Sequence, residues 1–167
     1  YGQPLHCFDA DMVKGNKIVV KDENAGLSFV TLDGEEHILG QHDLAICNAE
    51  EPMCIAGVFG GKGSGTYETT KNVVLESAYF HPTWIRKSAR RHGLSTDASF
   101  RFERGIDPNG TIYALKQAAI LCQQLAGGKV SMEIRDEYPT PIANPEMRLE
   151  YAYVNNLIGK EIGNDMI

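Results

Sequence analysis

Glu76 interrupts an otherwise nearly continuous apolar run, Val73-Val-Leu-Glu-Ser-Ala-Tyr-Phe80, which predicts a strand. Its carboxylate either points to water from an exposed face of that strand or is held inside the fold, where it must find a partner. The pattern alone leaves both interpretations open. A carboxylate held inside beside flexible backbone would be a good acceptor for the hydroxyl group of a ligand.

A glycine-rich stretch, Gly57-Val-Phe-Gly-Gly-Lys-Gly-Ser-Gly65, precedes that run and breaks regular structure. It is either a plain loop or the wall of a binding site. In the second case the glycines would let backbone N–H groups approach a ligand or an oxyanion more closely than side chains permit. The stretch lacks the spacing of a Walker loop, so it does not predict a phosphate-binding P-loop.

His6 could position a water or donate a hydrogen bond to a carbonyl, although a lone histidine beside apolar residues is more often structural. Metal-ligand spacing is absent from the other histidines, His37, His42, His81 and His92. No C-x-x-C pair occurs among the cysteines, Cys7, Cys47, Cys54 and Cys122. We therefore expect no metal site and reduced, mostly buried thiols.

No Ser-His-Asp or Cys-His arrangement is recognisable, but an activated ester can be cleaved without one, by an oriented water and a stabilised oxyanion.

Six of the sixteen basic residues fall between positions 86 and 104, where only Asp97 and Glu103 oppose them. They are Arg86, Lys87, Arg90, Arg91, Arg101 and Arg104. The net charge of −6 argues against a protein that coats nucleic acid with its whole surface. The cluster is thus either a solvated helix face or a local surface that contacts phosphate at one place.

Strand signals fill the first half of the chain and helix signals the second. Short β-branched or aliphatic runs predict strands at 17–21, 27–33, 36–39, 44–48 and 54–59, with a hairpin turn at Asp33-Gly34. Caps, prolines and glycines predict helices over 82–92, 97–104 and 108–126, and a final strand is expected at 129–138. Strands followed by helices predict an α+β fold, a layered sandwich of mixed or antiparallel sheets with helices packed on one side.

Length and composition are those of one main globular domain with a short appendage. The 167 residues are 43% hydrophobic and 23% charged. No leader sequence is recognisable and no apolar run is long enough to cross a bilayer, so we expect a cytoplasmic protein. The chain opens on Tyr1 in what looks like mid-domain sequence, which indicates a piece of a longer protein.

Four blocks together resemble the central, editing part of the bacterial phenylalanyl-tRNA synthetase β-subunit family. They are Gly2-Gln-Pro-Leu-His-Cys-Phe-Asp9, Ile55-Ala-Gly-Val-Phe-Gly-Gly61, Asn72-Val-Val-Leu-Glu-Ser-Ala-Tyr-Phe80 and Arg90-Arg-His-Gly-Leu-Ser-Thr-Asp-Ala-Ser-Phe-Arg-Phe-Glu-Arg-Gly-Ile-Asp-Pro108. Their order and spacing match the family across roughly residues 1–140, and the last block is too long to match by chance. The resemblance implies an editing domain over 1–140, a linker over 141–147, and the truncated start of the following domain over 148–167.

The family's editing module removes tyrosine from tRNA specific for phenylalanine. The matching pocket positions are His6, Ala56, Gly57, Gly60, Glu76, Thr96 and Ala98. The resemblance implies that Glu76 recognises the phenolic hydroxyl with the backbone at Ala56 and Gly57, and that His6 and Thr96 act near the ester. It also implies tRNA(Phe), the synthetase α subunit and the remaining β-subunit domains as partners in an α2β2 enzyme. ATP and Mg²⁺ would then bind elsewhere in that enzyme, and this chain would need no cofactor.

Three residues depart from the family pattern: Cys7 stands where alanine is common, Leu5 where methionine is frequent, and Phe100 where a polar or basic residue is usual. Two other interpretations remain. One is a non-catalytic scaffold that docks tRNA or neighbouring domains, against which the presence of Glu76, His6 and Thr96 argues. The other is a domain that binds tyrosine-like small molecules, which would bind free tyrosine and not only charged tRNA.

Overall fold

The computed structural model describes residues 1–167 and divides into two compact units, 1–136 and 137–167. In the first unit the strands are β1 (Leu5–Asp9), β2 (Val19–Lys21), β3 (Ser28–Val30), β4 (Glu36–Ile38), β5 (Ala45–Cys47), β6 (Pro52–Ile55), β7 (Phe59–Gly60) and β8 (Val73–Ser77). The helices that follow are α1 (Pro82–His92), α2 (Asp97–Phe102) and α3 (Thr111–Ala126). Short 3-10 turns occur at Ala10–Met12, Lys14–Asn16 and Pro108–Gly110. This order of strands and then helices confirms the α+β class.

The strands form three sheets, and every pairing is antiparallel. One sheet has the order β2-β5-β6-β7, and the other two are the pairs β3-β4 and β1-β8. The β1-β8 pair joins the start of the chain to residues that lie about seventy positions later, with His6 directly opposite Glu76. Residues directly opposite each other in an antiparallel pair share one face of the sheet. The pairing therefore places the two candidate residues side by side.

A single apolar core unites the sheets with α1 and α2. Its most completely buried large side chains are Phe8, Leu39, Ile46, Met53, Ile55 and Ile85. All four cysteines are free thiols, as expected, but only two of them, Cys47 and Cys54, are buried, while Cys122 is exposed. Packing of this core fixes the strands and the helices around the candidate site.

The helix boundaries follow the capping signals in the sequence. At the start of α1, Pro82 occupies the first turn and the ring of His81 accepts a hydrogen bond from the Thr83 N–H at 3.3 Å. Gly93 and Gly127 end α1 and α3 in the left-handed region, at φ of 65° and 72°, where a residue without a Cβ is favoured. The longest helix has 16 residues, and no helix combines the length and apolarity needed to cross a bilayer.

Asp43 fastens α1 to the loop between β4 and β5. Its carboxylate is completely buried and accepts hydrogen bonds from the Gly40 N–H at 2.7 Å and the Ser88 hydroxyl at 2.6 Å. Arg91 and His92 also contact it, at 2.5 Å and 2.7 Å. Burial alone would raise the pKa of Asp43, but the hydrogen bonds from Ser88, Gly40 and His92 outweigh it and lower the pKa. Asp43 is therefore a buried anion that holds the basic helix in place.

The strand predicted at 129–138 does not form. Val130, Met132 and Ile134 alternate with polar residues as in a half-buried strand, yet 60%, 60% and 42% of their surfaces are exposed. No other strand pairs with this segment, and an unpaired strand leaves its backbone hydrogen bonds to water. Conversely, β1 was not predicted, because proline, histidine and aspartate hide the strand pattern of residues 4–9.

The second unit contains α4 (Tyr151–Ile158) and a 3-10 turn at Asn164–Met166. Gly159 ends α4 at φ 76°. Several apolar side chains of α4 are exposed, among them Tyr153 and Leu157. The domain boundaries at 140 and 148 stay a prediction.

Candidate active site

A cavity of about 80 Å³ opens beside the face of the β1-β8 pair that carries His6 and Glu76. Its other lining residues are Pro4, Leu5, Cys54, Ile55, Gly57, Val58, Phe59, Gly60, Phe80, Ala98 and Phe102. These are apolar residues, glycines and one thiol, so the carboxyl and the imidazole are the strongly polar groups of the wall. No group of three or more His, Cys, Asp or Glu side chains is arranged to hold a metal ion.

The carboxyl group of Glu76 lies among apolar groups and forms no hydrogen bond within the protein. Burial raises its pKa from an ordinary 4.5 to about 7, because the charged form loses its hydration without gaining a partner. A glutamate at this pKa exchanges its proton near neutral pH. Of the two interpretations that the sequence left open, the structure favours the inward one, since Glu76 is only partly exposed and lines the cavity.

We expect the Glu76 carboxyl to titrate with a midpoint near 7, which carbon-13 NMR of labelled glutamate would detect in the wild type and not in Glu76→Gln. Because the folded state holds this proton more tightly than the unfolded state, the contribution of Glu76 to stability should fall as the pH rises from about 4.5 to about 7. Denaturation of both proteins at several pH values measures that slope. A midpoint near 4.5 would contradict the burial of the carboxyl group.

The imidazole of His6 presents an unpaired nitrogen in the same place. Its Nε2 atom is buried and has no hydrogen-bond partner within the protein. The other side of the ring packs against Phe8, with the ring centroids 4.3 Å apart. Burial lowers the pKa of His6, so the ring is neutral at pH 7 and can accept or donate one hydrogen bond according to its tautomer. His6 is thus available to a water or a ligand in the cavity.

Two glycines permit this arrangement. A Cβ atom at Gly60 would lie 2.6 Å from Cε1 of His6 and 2.8 Å from a methyl carbon of Leu32, so only glycine leaves room for the imidazole. Gly57 adopts φ 66° in the turn between β6 and β7, where a side chain would meet Phe80 and other core atoms. The glycine-rich segment is therefore part of the cavity wall and not a plain loop.

Ala56 and Thr96 lie behind the wall. Ala56 is buried in the core, and its N–H donates to the carbonyl of Leu44 at 2.9 Å. The Thr96 hydroxyl donates to the carbonyl of Val58 at 2.8 Å and accepts from the Ser99 N–H at 3.0 Å, in a capping box at the start of α2. Neither residue lines the cavity, but Thr96 bonds to Val58, which does, and Ala56 lies in the chain between the lining residues Ile55 and Gly57.

Aromatic walls are the part of the site that the sequence analysis missed. Phe80 and Phe102 meet edge to face, with ring centroids 5.0 Å apart, and both line the cavity. Phe102 follows Ala98 by four residues on α2, which puts both on one face of that helix. The i, i+4 spacing from the predicted pocket residue Ala98 could have identified Phe102.

The basic cluster divides into paired and unpaired residues. Arg91 binds Asp43, while Arg104 contacts Glu103 at 2.6 Å and the carbonyl of Phe100 at 2.9 Å. The other four are exposed and form no ion pair: Arg86, Lys87, Arg90 and Arg101. None of the six lines the cavity.

Comparison with known proteins agrees with the four sequence blocks. The family model described as the B3/4 domain matches residues 1–127. Over all 167 residues the chain is 59% identical to a "Phenylalanine--tRNA ligase beta subunit" of Bacteroides fragilis (strain YCH46), and 60% identical over 162 residues, 97% of the chain, to that of Bacteroides thetaiotaomicron. A subunit of the same name from Geobacter metallireducens is 44% identical over 99% of the chain.

The chain spans only about a fifth of the length of these relatives, 20% of the Bacteroides proteins and 21% of the Geobacter protein. The matched region contains the cavity with Glu76, His6 and both glycines. The chain therefore belongs to the B3/4 domain family, and its relatives of high identity over the full chain are phenylalanine--tRNA ligase beta subunits.

Proposed function

We propose that this chain is the editing module of a phenylalanine--tRNA ligase and hydrolyses the ester of tRNA(Phe) that carries tyrosine. The observation that supports it most is the pairing of two unpartnered polar groups, the Glu76 carboxyl and His6 Nε2, at a small apolar cavity. Buried polar groups without partners are rare in folded proteins and are expected where a ligand completes them. The names of the relatives supply the class of substrate, an aminoacyl-tRNA.

The size of the cavity suits an amino-acid side chain. A volume of about 80 Å³ corresponds to roughly five to eight water-sized positions, which matches one aromatic ring better than a nucleotide. The rings of Phe80 and Phe102 supply apolar walls on which such a ring can pack. The tyrosine side chain would enter here, leaving the nucleotide outside.

The carboxylate of Glu76 would make this cavity bind tyrosine in preference to phenylalanine. A synthetic pocket that accepts phenylalanine rejects an analogue with an added hydroxyl by only about 10²-fold, so a second site is needed to remove the product of the error. In the second site the phenolic hydroxyl donates to the carboxylate of Glu76. Phenylalanine leaves that buried group unpaired, at a cost of about 1 to 3 kcal/mol, and correctly charged tRNA is spared.

The hydrolysis needs little chemistry from the protein. Water adds to the ester carbonyl carbon, the bond to the ribose oxygen breaks, and the proton from water passes to that oxygen, which gives free tyrosine and uncharged tRNA. Through Nε2, neutral His6 either positions the attacking water by a hydrogen bond or accepts its proton. Thr96 supports the reaction by fixing Val58 and the start of α2, which carries Ala98.

The same proposal assigns tRNA(Phe), the alpha subunit and the other domains of the ligase as partners. ATP and Mg²⁺ belong to the aminoacylation reaction of the whole ligase, and the ester hydrolysis proposed for this chain uses neither. The location is the cytoplasm, where aminoacyl-tRNA is made.

Deacylation of tyrosyl-tRNA(Phe) by the full-length ligase that contains this chain tests the proposal, with phenylalanyl-tRNA(Phe) and a His6→Ala variant as controls. We expect rapid release of tyrosine, slow release of phenylalanine, and a lower rate in His6→Ala. Binding of both tRNAs without release above the spontaneous rate would instead indicate a docking scaffold.

A further inference from the structure

A second and larger groove, of about 540 Å³, lies on the other side of α2. Among its lining residues are Tyr1, Phe100, Arg101, Arg104, Gly105 and Tyr113. Successive residues of an α-helix are about 100° apart, so Phe100 projects from α2 nearly opposite Ala98. The short helix α2 therefore separates the small cavity from this groove, and a ligand that reached around it could occupy both.

The groove has an exposed aromatic surface. Phe100 is 49% exposed, and the guanidinium of Arg104 covers one face of its ring at 3.6 Å. Two hydrogen-bond partners, the carbonyl of Phe100 and the carboxylate of Glu103, hold that guanidinium in position. Across the groove the rings of Tyr1 and Tyr113 meet edge to face at 5.1 Å. Exposed rings fixed beside arginine are the kind of surface on which nucleobases stack.

Unpaired positive charge extends from the groove along α1. Arg101 is exposed and forms no ion pair. One carboxylate, that of Asp107, also lines the groove, where it accepts the Asn109 N–H and forms no ion pair. Gly105 approaches the first turn of α1, since a Cβ there would lie 3.8 Å from Pro82.

From Pro82 onwards, Arg86 and Arg90 follow at intervals of four residues, so they share one face of α1, about 6 Å apart along its axis. Both are exposed and unpaired. A chain of phosphates leaving the groove would pass these two cations.

We propose that this groove binds a nucleobase of the single-stranded 3′ end of tRNA, stacked on Phe100. Arg101, Arg86 and Arg90 contact the phosphates on the 5′ side of that nucleotide. The proposal rests on the proposed function, because the amino acid in the cavity must be joined to a nucleotide just outside it. The volume of the groove suits a nucleotide. Phe100, which is 49% exposed and lines the groove, supplies the stacking surface.

The test uses the full-length ligase and three uncharged tRNA(Phe) molecules, each with 2-aminopurine at one of the last three positions, because stacking on an aromatic ring quenches this base. In the wild type we expect quenching at one or more of these positions. Phe100→Leu keeps an apolar side chain on α2 but should abolish the quenching and weaken tRNA binding about 10-fold. Phe100→Tyr should restore both. Arg101→Gln should lower the salt dependence of binding by about one charge.

Equal quenching in the wild type and in Phe100→Leu would overturn the proposal, as would quenching that Phe100→Tyr fails to restore. The two proposals fail in different ways. Hydrolysis of tyrosyl-tRNA(Phe) without Phe100-dependent quenching would leave the editing function and reject the groove. Quenching without hydrolysis would leave the groove and reject the editing function.

Discussion

Replacing Glu76 with alanine is expected to reduce the preference for tyrosyl-tRNA over phenylalanyl-tRNA in deacylation by about 10- to 100-fold. Nothing in the protein pairs the buried carboxyl group of Glu76. In the proposed function the phenolic hydroxyl of tyrosine would pair it, and phenylalanine would leave it unpaired. Alanine removes both the hydrogen bond that would favour tyrosine and the unpaired buried group that would disfavour phenylalanine. The measurement is the ratio of kcat/KM for the two esters in the full-length ligase.

Two variants control this experiment. Glu76→Gln keeps the size of the side chain and an acceptor oxygen but not the charge, so it should retain part of the preference, since hydrogen bonds to charged groups are stronger. Glu68→Ala removes an exposed glutamate and should leave the ratio unchanged. A ratio in Glu76→Ala equal to that of the wild type would show that another group recognises the hydroxyl.

The sequence could single out Glu76 and His6 as candidates, but it could not predict their surroundings. A charged residue in an apolar run marked Glu76, and the family blocks marked His6. Their contact depends on the β1-β8 pairing, which joins positions about seventy residues apart. No local pattern encodes such a pairing, and β1 itself has too many polar residues to be recognised as a strand.

For Thr96 and Arg91 the sequence could not predict which groups their side chains contact in the folded protein. Thr96 matches a pocket position in sequence, and it is also one of two residues, with Asp97, that the sequence predicts as the cap of the second helix. The structure confirms Thr96 as that cap, and its hydroxyl is used in the capping box of α2. Arg91 was grouped with the exposed basic residues because a helix face can be inferred from spacing. Its partner Asp43 lies in a loop 48 residues earlier, so only the folded structure separates Arg91 from Arg90.

Asp43 links stability to the surface proposed to meet tRNA. It binds three side chains of α1, those of Ser88, Arg91 and His92, and α1 carries three of the four unpaired basic residues. The carboxylate of Asp43 and the side chains of Ser88 and His92 are buried, so water cannot replace the hydrogen bonds between them. Asp43 therefore adds a group of polar contacts to the apolar packing of Ile85 and Ala89 that holds α1 against the core.

Asp43→Ala should lower the free energy of unfolding by about 2 to 5 kcal/mol, because it leaves the buried groups of Ser88 and His92 without their acceptor. Denaturant unfolding near pH 7 measures the loss, and Asp22→Ala serves as the control, since Asp22 forms only an exposed contact with His42 and should change stability by at most about 1 kcal/mol.

The acid side of the stability profile gives a second measurement. The pKa of Asp43 is lowered in the folded state, so its stabilisation is present above its ordinary value of 3.8 and is lost as the pH falls through the folded value. Asp43→Ala should therefore reduce the change of the free energy of unfolding with pH in this acid range, as well as lower the free energy of unfolding near pH 7. If Asp43→Ala unfolded like Asp22→Ala, the contacts of α1 with the core through Ile85 and Ala89 would be sufficient to hold the basic helix, and the buried anion would be dispensable.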